Sequence, residues 1–572
     1  MQLINKNKFV PWFLCLLLIL QGTGLYHITS VFAGNASTSA GVNNKVPTYT
    51  GNVAESPASY ATTPTAVGAD VTFKVTATDK NNDKYYLAVC TTAAVTAHAS
   101  AAPTCDVGTW KVSAETSSGS EATAAYTTLQ GDASSNNWYA YVCDKNANSL
   151  CTTVDSGTGD SGSPFIVNHA PTFTVFADDA GAGKAPGATV TWTSTSTDSD
   201  SDTVTLYVCK DNDFTGTDCG VGGKWCNSNA SASDPTCNVA MPSIMQDKDW
   251  EAFGYIVDAH GAASAGVNQG TDSTLTISNV APSITASSII IYDTDGSGDM
   301  TLATSQDETT GFKVALSITD ANSCLNASTG HEIASAAINV RRSGITAANC
   351  DATGEYNPNN CYPDDYASWN TSCTQTGTCG GAGDDTIEWE CTFPLQYLAD
   401  PTVTNSTFDA QYWIADAKAI DDDTADSGFI TSADADGTEM GQFLDYHLNT
   451  VSINYGSMDP GAASSDQATT LEATGNVGLD ETLYGTNMAS GGDTILVGQQ
   501  KYKLTAGGGW TGTALVVTPG NEAELNLKKS TVVLTPETKD TYWVLQVPDP
   551  QATGTYSGTN TIEGKVGEYA DW

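Results

Sequence analysis

From Asp70 to Thr78 apolar and polar residues alternate one for one: Val71, Phe73, Val75 and Ala77 against Thr72, Lys74, Thr76 and Thr78. The run then stops at Asp79. Period-two alternation sends successive side chains to opposite faces, which marks a half-buried strand. The pattern returns. Gly187-Ala188-Thr189-Val190-Thr191-Trp192 leads to Thr197-Asp198 and then to Val204-Thr205-Leu206-Tyr207-Val208-Cys209, as Gly68 onward leads to Asp79 and then to Tyr85–Cys90. A third, more divergent copy has Phe312, Val314, Leu316 and Ile318, ending in Thr319-Asp320. A later strand recurs as well, in Tyr141-Val142-Cys143-Asp144, Tyr255-Ile256-Val257-Asp258 and Trp413-Ile414-Ala415-Asp416. A chain of 572 residues exceeds what one core serves, so repeats of this kind set the architecture.

The joins place the boundaries. Asn168-His169-Ala170-Pro171 and Asn279-Val280-Ala281-Pro282 each close one unit and open the next, since proline ends a strand run and stiffens the connection. The expected units are 47–169, 170–281 and 282–450, the third enlarged by an insertion that carries six cysteines. Residues 451–572 lack cysteine and read as further short strands between Gly and Asn turns. Long helical patterns are absent beyond the first thirty or so residues, and the whole reads as an all-β series of antiparallel sandwiches.

The N-terminal region and the cysteines point outside the cytoplasm. Lys6 and Lys8 precede an apolar run from Phe9 to Leu20, and Val31-Phe32-Ala33 offers small residues for cleavage. Residues 1–33 are therefore expected to be a signal peptide, with 34–46 a linker. The apolar run is shorter than the ~20 residues a membrane span needs, and no other stretch of spanning length follows. Of 15 cysteines, Cys15 lies in that leader and the rest fall as four, four and six, an even number in each unit. Even counts suit disulfides formed in an oxidising compartment. Near neighbours are the expected pairs: Cys90 with Cys105, Cys143 with Cys151, Cys209 with Cys219, Cys226 with Cys237. The six from Cys324 to Cys391 allow no deduction. Asp and Glu number 65 against 22 Lys and Arg, a formal charge of −43, which argues against nucleic acid and anionic lipid and favours divalent counter-ions.

The Thr-Asp turn with Asp or Asn at alternate positions (Asp79, Asn81, Asp83; Asp198, Asp200, Asp202) and the aromatic-aliphatic-x-Asp strand resemble the immunoglobulin-like and cadherin-like repeats of prokaryotic surface proteins. That resemblance covers most of the chain after the leader. It implies a place in a surface layer, stalk or adhesin, with calcium as a candidate ligand; the cysteine-rich loops depart from the pattern.

Calcium wants several oxygen donors at close range. Asp293, Asp295, Ser297 and Asp299, with Gly296 at the turn, come nearest to a calcium loop, although Thr304 stands where an EF-hand has its last carboxylate. Asp198, Asp200 and Asp202, then Asp434, Asp436 and Glu439, are the other candidates, and Asp421-Asp422-Asp423 adds a further acidic cluster. Asp is also common in turns for backbone reasons alone. Gly159-Asp160-Ser161-Gly162-Ser163-Pro164 resembles the nucleophile segment of chymotrypsin-like proteases, with His98 and Asp144 upstream. The interval from Asp144 to Ser161 is too short for that fold's second barrel, and the six histidines form no zinc motif, so no catalytic residue is expected. Trp110, Trp225, Trp369 and Trp510 are candidates for stacking on sugars. Asn229, Asn326, Asn370 and Asn405 fit N-glycan acceptors. The sequence thus reads as a secreted structural or adhesive protein of the cell surface. Self-association or contact with other surface proteins and glycans is its expected mode. A glycan- or protein-binding module is the alternative, and a secreted hydrolase a more distant one.

Overall fold

The computed structural model describes residues 38–157 and 162–572, apart from 265, 267, 303–310, 327–328, 351–356, 365–370, 434–436, 521 and 533–534. The segment 1–33, expected to be a signal peptide, and Ser161 lie outside the described residues. The described residues divide into two compact units: those within 38–60, 70–127 and 136–165 form one, and those within 61–69, 128–135 and 166–572 the other.

In the first unit the alternating segment is the strand Asp70–Thr78, with Val71, Phe73, Val75 and Ala77 all buried. It pairs antiparallel with Glu121–Thr127, and with the short strands Thr48–Tyr49 and Ala54–Glu55. The facing sheet runs Tyr139–Asp144, Tyr85–Cys90, Thr109–Val112. Phe73 meets Trp138 edge-on at 5.1 Å between ring centres, which fills the space between the sheets.

The second unit holds three further sandwiches in series. Thr172–Asp178, Thr189–Thr197 and Thr236–Ala240 face Lys224–Asn227, Val204–Cys209, Phe253–Asp258 and Thr271–Asp272. Next, Phe312–Thr319 lies between Ser283–Ile284 and Thr386–Phe393, opposite a sheet of Cys361–Pro363, Ile333–Arg342, Trp413–Asp421 and Ile430–Thr431. Phe312, Val314, Leu316 and Ile318 are fully buried in one cluster with Ile338, Val340 and Trp413. Each such side chain contributes roughly 1.5–3 kcal/mol. The last pair of sheets is built on Gln467–Ala473 with Thr538–Leu545, and on Leu479–Gly485 with Glu522–Leu527 and Asn560–Val566. Tyr446–Leu448 belongs to it, paired with Gln467–Ala473.

Seven disulfides occur among the described residues. The four near-neighbour pairs form as expected. The remaining six cysteines pair as Cys324–Cys379, Cys350–Cys361 and Cys373–Cys391. The fold is a disulfide-stapled, all-β series of immunoglobulin-like sandwiches. Among the described residues no helix is long and apolar enough to cross a membrane.

Candidate functional site: three equivalent carboxylate junctions

Three features separated in sequence come together three times. The first is an asparagine four residues before the opening strand: Asn44 before Thr48, Asn168 before Thr172, Asn279 before Ser283. Those strand residues pair with Thr78, Thr197 and Thr319, each the last residue of an alternating strand. The second feature is the aspartate that follows: Asp79, Asp198 and Asp320. The third closes the later strand, where Asp144, Asp258 and Asp421 pair with Tyr85, Val204 and Ile333. The shared register carries all three groups to the same end of each sandwich.

The side chains repeat as well. Asn44 donates from Nδ2 to Asp144 Oδ2 at 2.7 Å, Asn168 to Asp258 at 2.9 Å, and Asn279 to Asp421 at 2.9 Å. Each turn aspartate uses Oδ1 to accept from its own loop. Asp79 takes the N–H of Asn81 at 2.6 Å, Asp198 that of Asp200 at 2.8 Å, and Asp320 that of Asn322 at 2.7 Å. What is left over is also the same: the asparagine Oδ1 and the aspartate Oδ2 are buried without a hydrogen-bond partner at all three places. Buried polar atoms are nearly always paired, so six unpartnered oxygens in three equivalent positions are a property of the repeat. They are carbonyl and carboxylate donors only, the set that hard cations such as calcium take and that zinc does not favour.

The three junctions differ in what surrounds this frame. At the second, Asp200 accepts from His169 Nδ1 at 2.9 Å and from the Ser134 hydroxyl, while His260 Nε2 stands 3.5 Å from Asp202. Asp198, Asp200 and Asp202 bring one oxygen each within 4.8 Å of one another. At the third, Asp320 is 1% exposed and Glu332 0% exposed, and Glu332 Oε1 and Asp422 Oδ1 are further unpartnered oxygens. Burial, then the charges of Asp421, Asp247 and Asp422, push Asp320 up to about 7. Burial and Asp247 push Glu332 up to about 8, and burial with Asp423 and Asp422 pushes Asp247 up to about 6. Like charges held together out of water disfavour ionisation, and a bound cation relieves that conflict.

The other sequence candidates are differently placed. In the Asp293–Asp299 loop, Asp293 Oδ2 accepts from the Thr301 N–H and hydroxyl at 2.9 and 2.8 Å. Asp295 accepts from the Ser297 N–H at 2.8 Å, the Ser297 hydroxyl donates to the Asp299 carbonyl at 3.0 Å, and Asp299 Oδ1 accepts from the Glu439 N–H at 3.3 Å. Asp434 and Asp436, like Thr304, lie outside the described residues. Cys324, Cys379 and Asp384 also converge, but those two cysteines form a disulfide and have no thiolate to offer. His98 bonds Thr104 at 2.8 Å, whereas Asp144 is engaged by Asn44 and Leu150, so these two do not make a catalytic pair. Trp110 packs against Tyr126 and Phe165, and Trp225 stacks on Trp192.

In the sequence the Thr-Asp turns, the joins at Asn168 and Asn279 and the strand-ending Asp144 and Asp258 stand as separate signatures, and Asn44 is not among them. Asp416 reads in the sequence as the third copy of the strand signature. Asp416 instead faces Arg341, its Oδ2 accepting from Nε at 2.6 Å, and the strand runs on to Asp421 before the junction contact is made. The signal that could have found the site is an asparagine three residues before the opening proline in Asn44-Lys45-Val46-Pro47, Asn168–Pro171 and Asn279–Pro282.

No family model matches the chain, and no curated protein does. Among solved structures, a marsupial T cell receptor aligns at a TM-score of 0.26 and 10% identity, over 68% of this chain and 98% of the receptor chain. The extracellular cadherin domains 3–6 of protocadherin gamma B2 align at a TM-score of 0.26 and 11% identity, over 91% of this chain and 99% of that one. At those scores neither superposition adds to what the strand pairings show.

Proposed function

We propose that this chain is secreted and serves as a structural or adhesive element outside the cell, a series of immunoglobulin-like sandwiches whose junctions are stiffened by bound calcium. The observation that carries the reading is the recurring pair of buried, unpartnered oxygens at Asn44/Asp79, Asn168/Asp198 and Asn279/Asp320. The disulfides and the formal charge of −43 support an oxidising, cation-rich setting. In this reading the chain has a signal peptide at 1–33, a linker at 34–46 and domains at 47–169, 170–281, 282–450 and 451–572. Its partners are further copies of itself or other surface proteins and glycans. Calcium at the third junction also draws on Asp247, Glu332 and Asp422. Asp293, Asp295, Ser297, Asp299, Asp434, Asp436 and Glu439 remain secondary calcium candidates.

The test is calcium counting by equilibrium dialysis on the full chain with its disulfides formed, together with negative-stain images in calcium and in chelator. Wild type is expected to bind calcium and to narrow its spread of particle shapes when it does. Asp320→Asn removes one charge from the crowded third junction. It is therefore expected to melt higher than wild type in chelator and to gain less on adding calcium, a gain of about 2.7 kcal/mol per site at a hundredfold excess over Kd. No calcium bound, or particle shapes and melting that ignore calcium, would reject the proposal.

A further inference from the structure

Trp225, one of the indoles that the sequence marks for stacking on sugars, opens onto a cleft of about 380 Å³ in the second sandwich, none of whose lining residues belongs to a junction. That volume lies within the range of small-ligand sites. Trp225 is the extra residue of a β-bulge: Val208 pairs with Cys226 and Cys209 with Lys224, leaving Trp225 between them. A bulge of this kind re-aims a side chain. Trp250 comes to the same cleft from the short strand Asp249–Trp250, paired with Leu275–Thr276. Both indoles are held in place. Trp225 Nε1 donates to the Glu251 carbonyl at 3.0 Å and Trp250 Nε1 to the Gln246 carbonyl at 3.2 Å. The two rings meet edge-on at 6.2 Å between centres, and fully buried Trp192 backs Trp225 at 6.4 Å. With both N–H groups used, the indoles have only their ring surfaces to offer a ligand.

The charged groups of the cleft are the second observation. Lys210 Nζ lies 4.6 Å from the centre of the Trp225 ring, and Lys248 Nζ 4.2 Å from that of Trp250. Asp211, Asp249 and Glu251 line the same cleft, yet among the described residues neither ammonium makes a salt bridge or a hydrogen bond. Contact with the indoles holds the two cations instead. Asp249 is engaged by the Thr276 hydroxyl at 2.7 Å, whereas the carboxylates of Asp211 and Glu251 accept no hydrogen bond among the described residues. Residue 222 is glycine, and a Cβ there would stand 2.0 Å from Asp211 Oδ2. Glycine thus leaves that carboxylate its place in the wall of the cleft.

Two ring surfaces, two ammoniums and two carboxylates make a site balanced in charge, with donors and acceptors set around apolar planes. A charged ligand would meet as much repulsion as attraction, and an alkyl group would leave the donors and acceptors unused. A neutral sugar matches the set: its C–H face packs on an indole while its hydroxyls accept from an ammonium and donate to a carboxylate. We propose that this cleft binds a neutral saccharide, stacked on Trp225 and Trp250 and oriented through its hydroxyls by Lys210, Lys248, Asp211 and Glu251. Both lysines are exposed, so each ammonium exchanges its ring for a hydroxyl without disturbing the fold. The proposal rests on the extracellular reading above for its class of partner, but not on calcium at the junctions.

The full chain with its disulfides formed is titrated calorimetrically with neutral oligosaccharides of glucose, xylose, mannose, galactose and N-acetylglucosamine, and with polygalacturonate, in calcium and in chelator. The expected result is saturable binding of at least one neutral oligosaccharide in both conditions. Asp211→Ala and Glu251→Ala should each weaken it about tenfold, and Trp250→Ala should weaken it further. Trp510→Phe, outside the second sandwich, should leave it unchanged. Asp211 and Glu251 are exposed, so their variants keep the test open even where Trp250→Ala fails to fold. No binding of any neutral oligosaccharide, or binding that Asp211→Ala and Glu251→Ala leave intact, would overturn the site whatever the junctions bind. Binding of polygalacturonate alone would also overturn it, by assigning the chain an anionic ligand. Neutral-sugar binding by a chain that takes up no calcium would support the cleft and reject the junction reading alone.

Discussion

Glu55 lies in the first core with 4% of its surface exposed, its carboxylate accepting from the Ser59 N–H at 2.9 Å and from Trp138 Nε1 at 2.6 Å. Two donors do not replace water: burial pushes the carboxyl up to about 7, even though both hydrogen bonds pull it down. Because the folded value is raised above the ordinary one, the folded state holds the proton more tightly than the unfolded chain does. Stability is then full below about pH 4.5 and is lost as pH rises toward 7. Glu55→Gln keeps an acceptor for Trp138 and removes the ionisation. In denaturant titrations with calcium present, the variant should gain on wild type between pH 5 and pH 8, by on the order of 2 kcal/mol. A wild type and variant that track each other across that range would show that Glu55 ionises without cost in the fold.

At the scale of elements, alternation made the strands legible in the sequence. Val71 to Ala77 and Phe312 to Ile318 bury the faces their periodicity predicted. The near-neighbour disulfides were legible because each closes a short loop. Cys324–Cys379 was not, since its partners stand 55 residues apart and only the sheets bring them together. The candidate site was half legible for the same reason. Its aspartates show as turn and strand-end signatures, but the pairing of Asn279 with Asp421 depends on a strand longer than its two counterparts. Loop length also ranks the disulfides. In the chain-entropy account a longer closed loop constrains the unfolded chain more, so the 55-residue separation of Cys324–Cys379 outweighs the 8 of Cys143–Cys151 by roughly 1.5–2 kcal/mol. Replacing each pair with serine and comparing urea midpoints should show the larger loss for Cys324–Cys379. A larger loss at Cys143–Cys151 would mean that native packing, not the unfolded chain, sets the ranking.

At the scale of the second unit, the third and last sandwiches meet through a buried charge cluster. Lys529 donates to Asp400 Oδ1 at 2.5 Å, to Asn359 Oδ1 at 3.0 Å and to the Leu398 carbonyl at 2.8 Å, while Arg342 Nε donates to Asp400 Oδ2 at 3.0 Å. Burial lowers the Lys529 ammonium although Asp400 pulls the other way. Around it, Asn359 donates to the Thr531 carbonyl at 3.0 Å and Asn476 to the Ala399 carbonyl at 3.1 Å. Such a contact fixes the orientation of two sandwiches more than it stabilises either, because a buried ion pair gains little net energy but is costly to break. Lys529→Met leaves Asp400 with Arg342 alone and strands two buried acceptors, a loss of about 3 kcal/mol. That loss falls on the contact between the sandwiches rather than within one of them. Calorimetry of the full chain should therefore show the transition of the last sandwich separating from that of the third in the variant. Both should unfold together in wild type, and identical traces would place the coupling in the neighbouring backbone bonds instead.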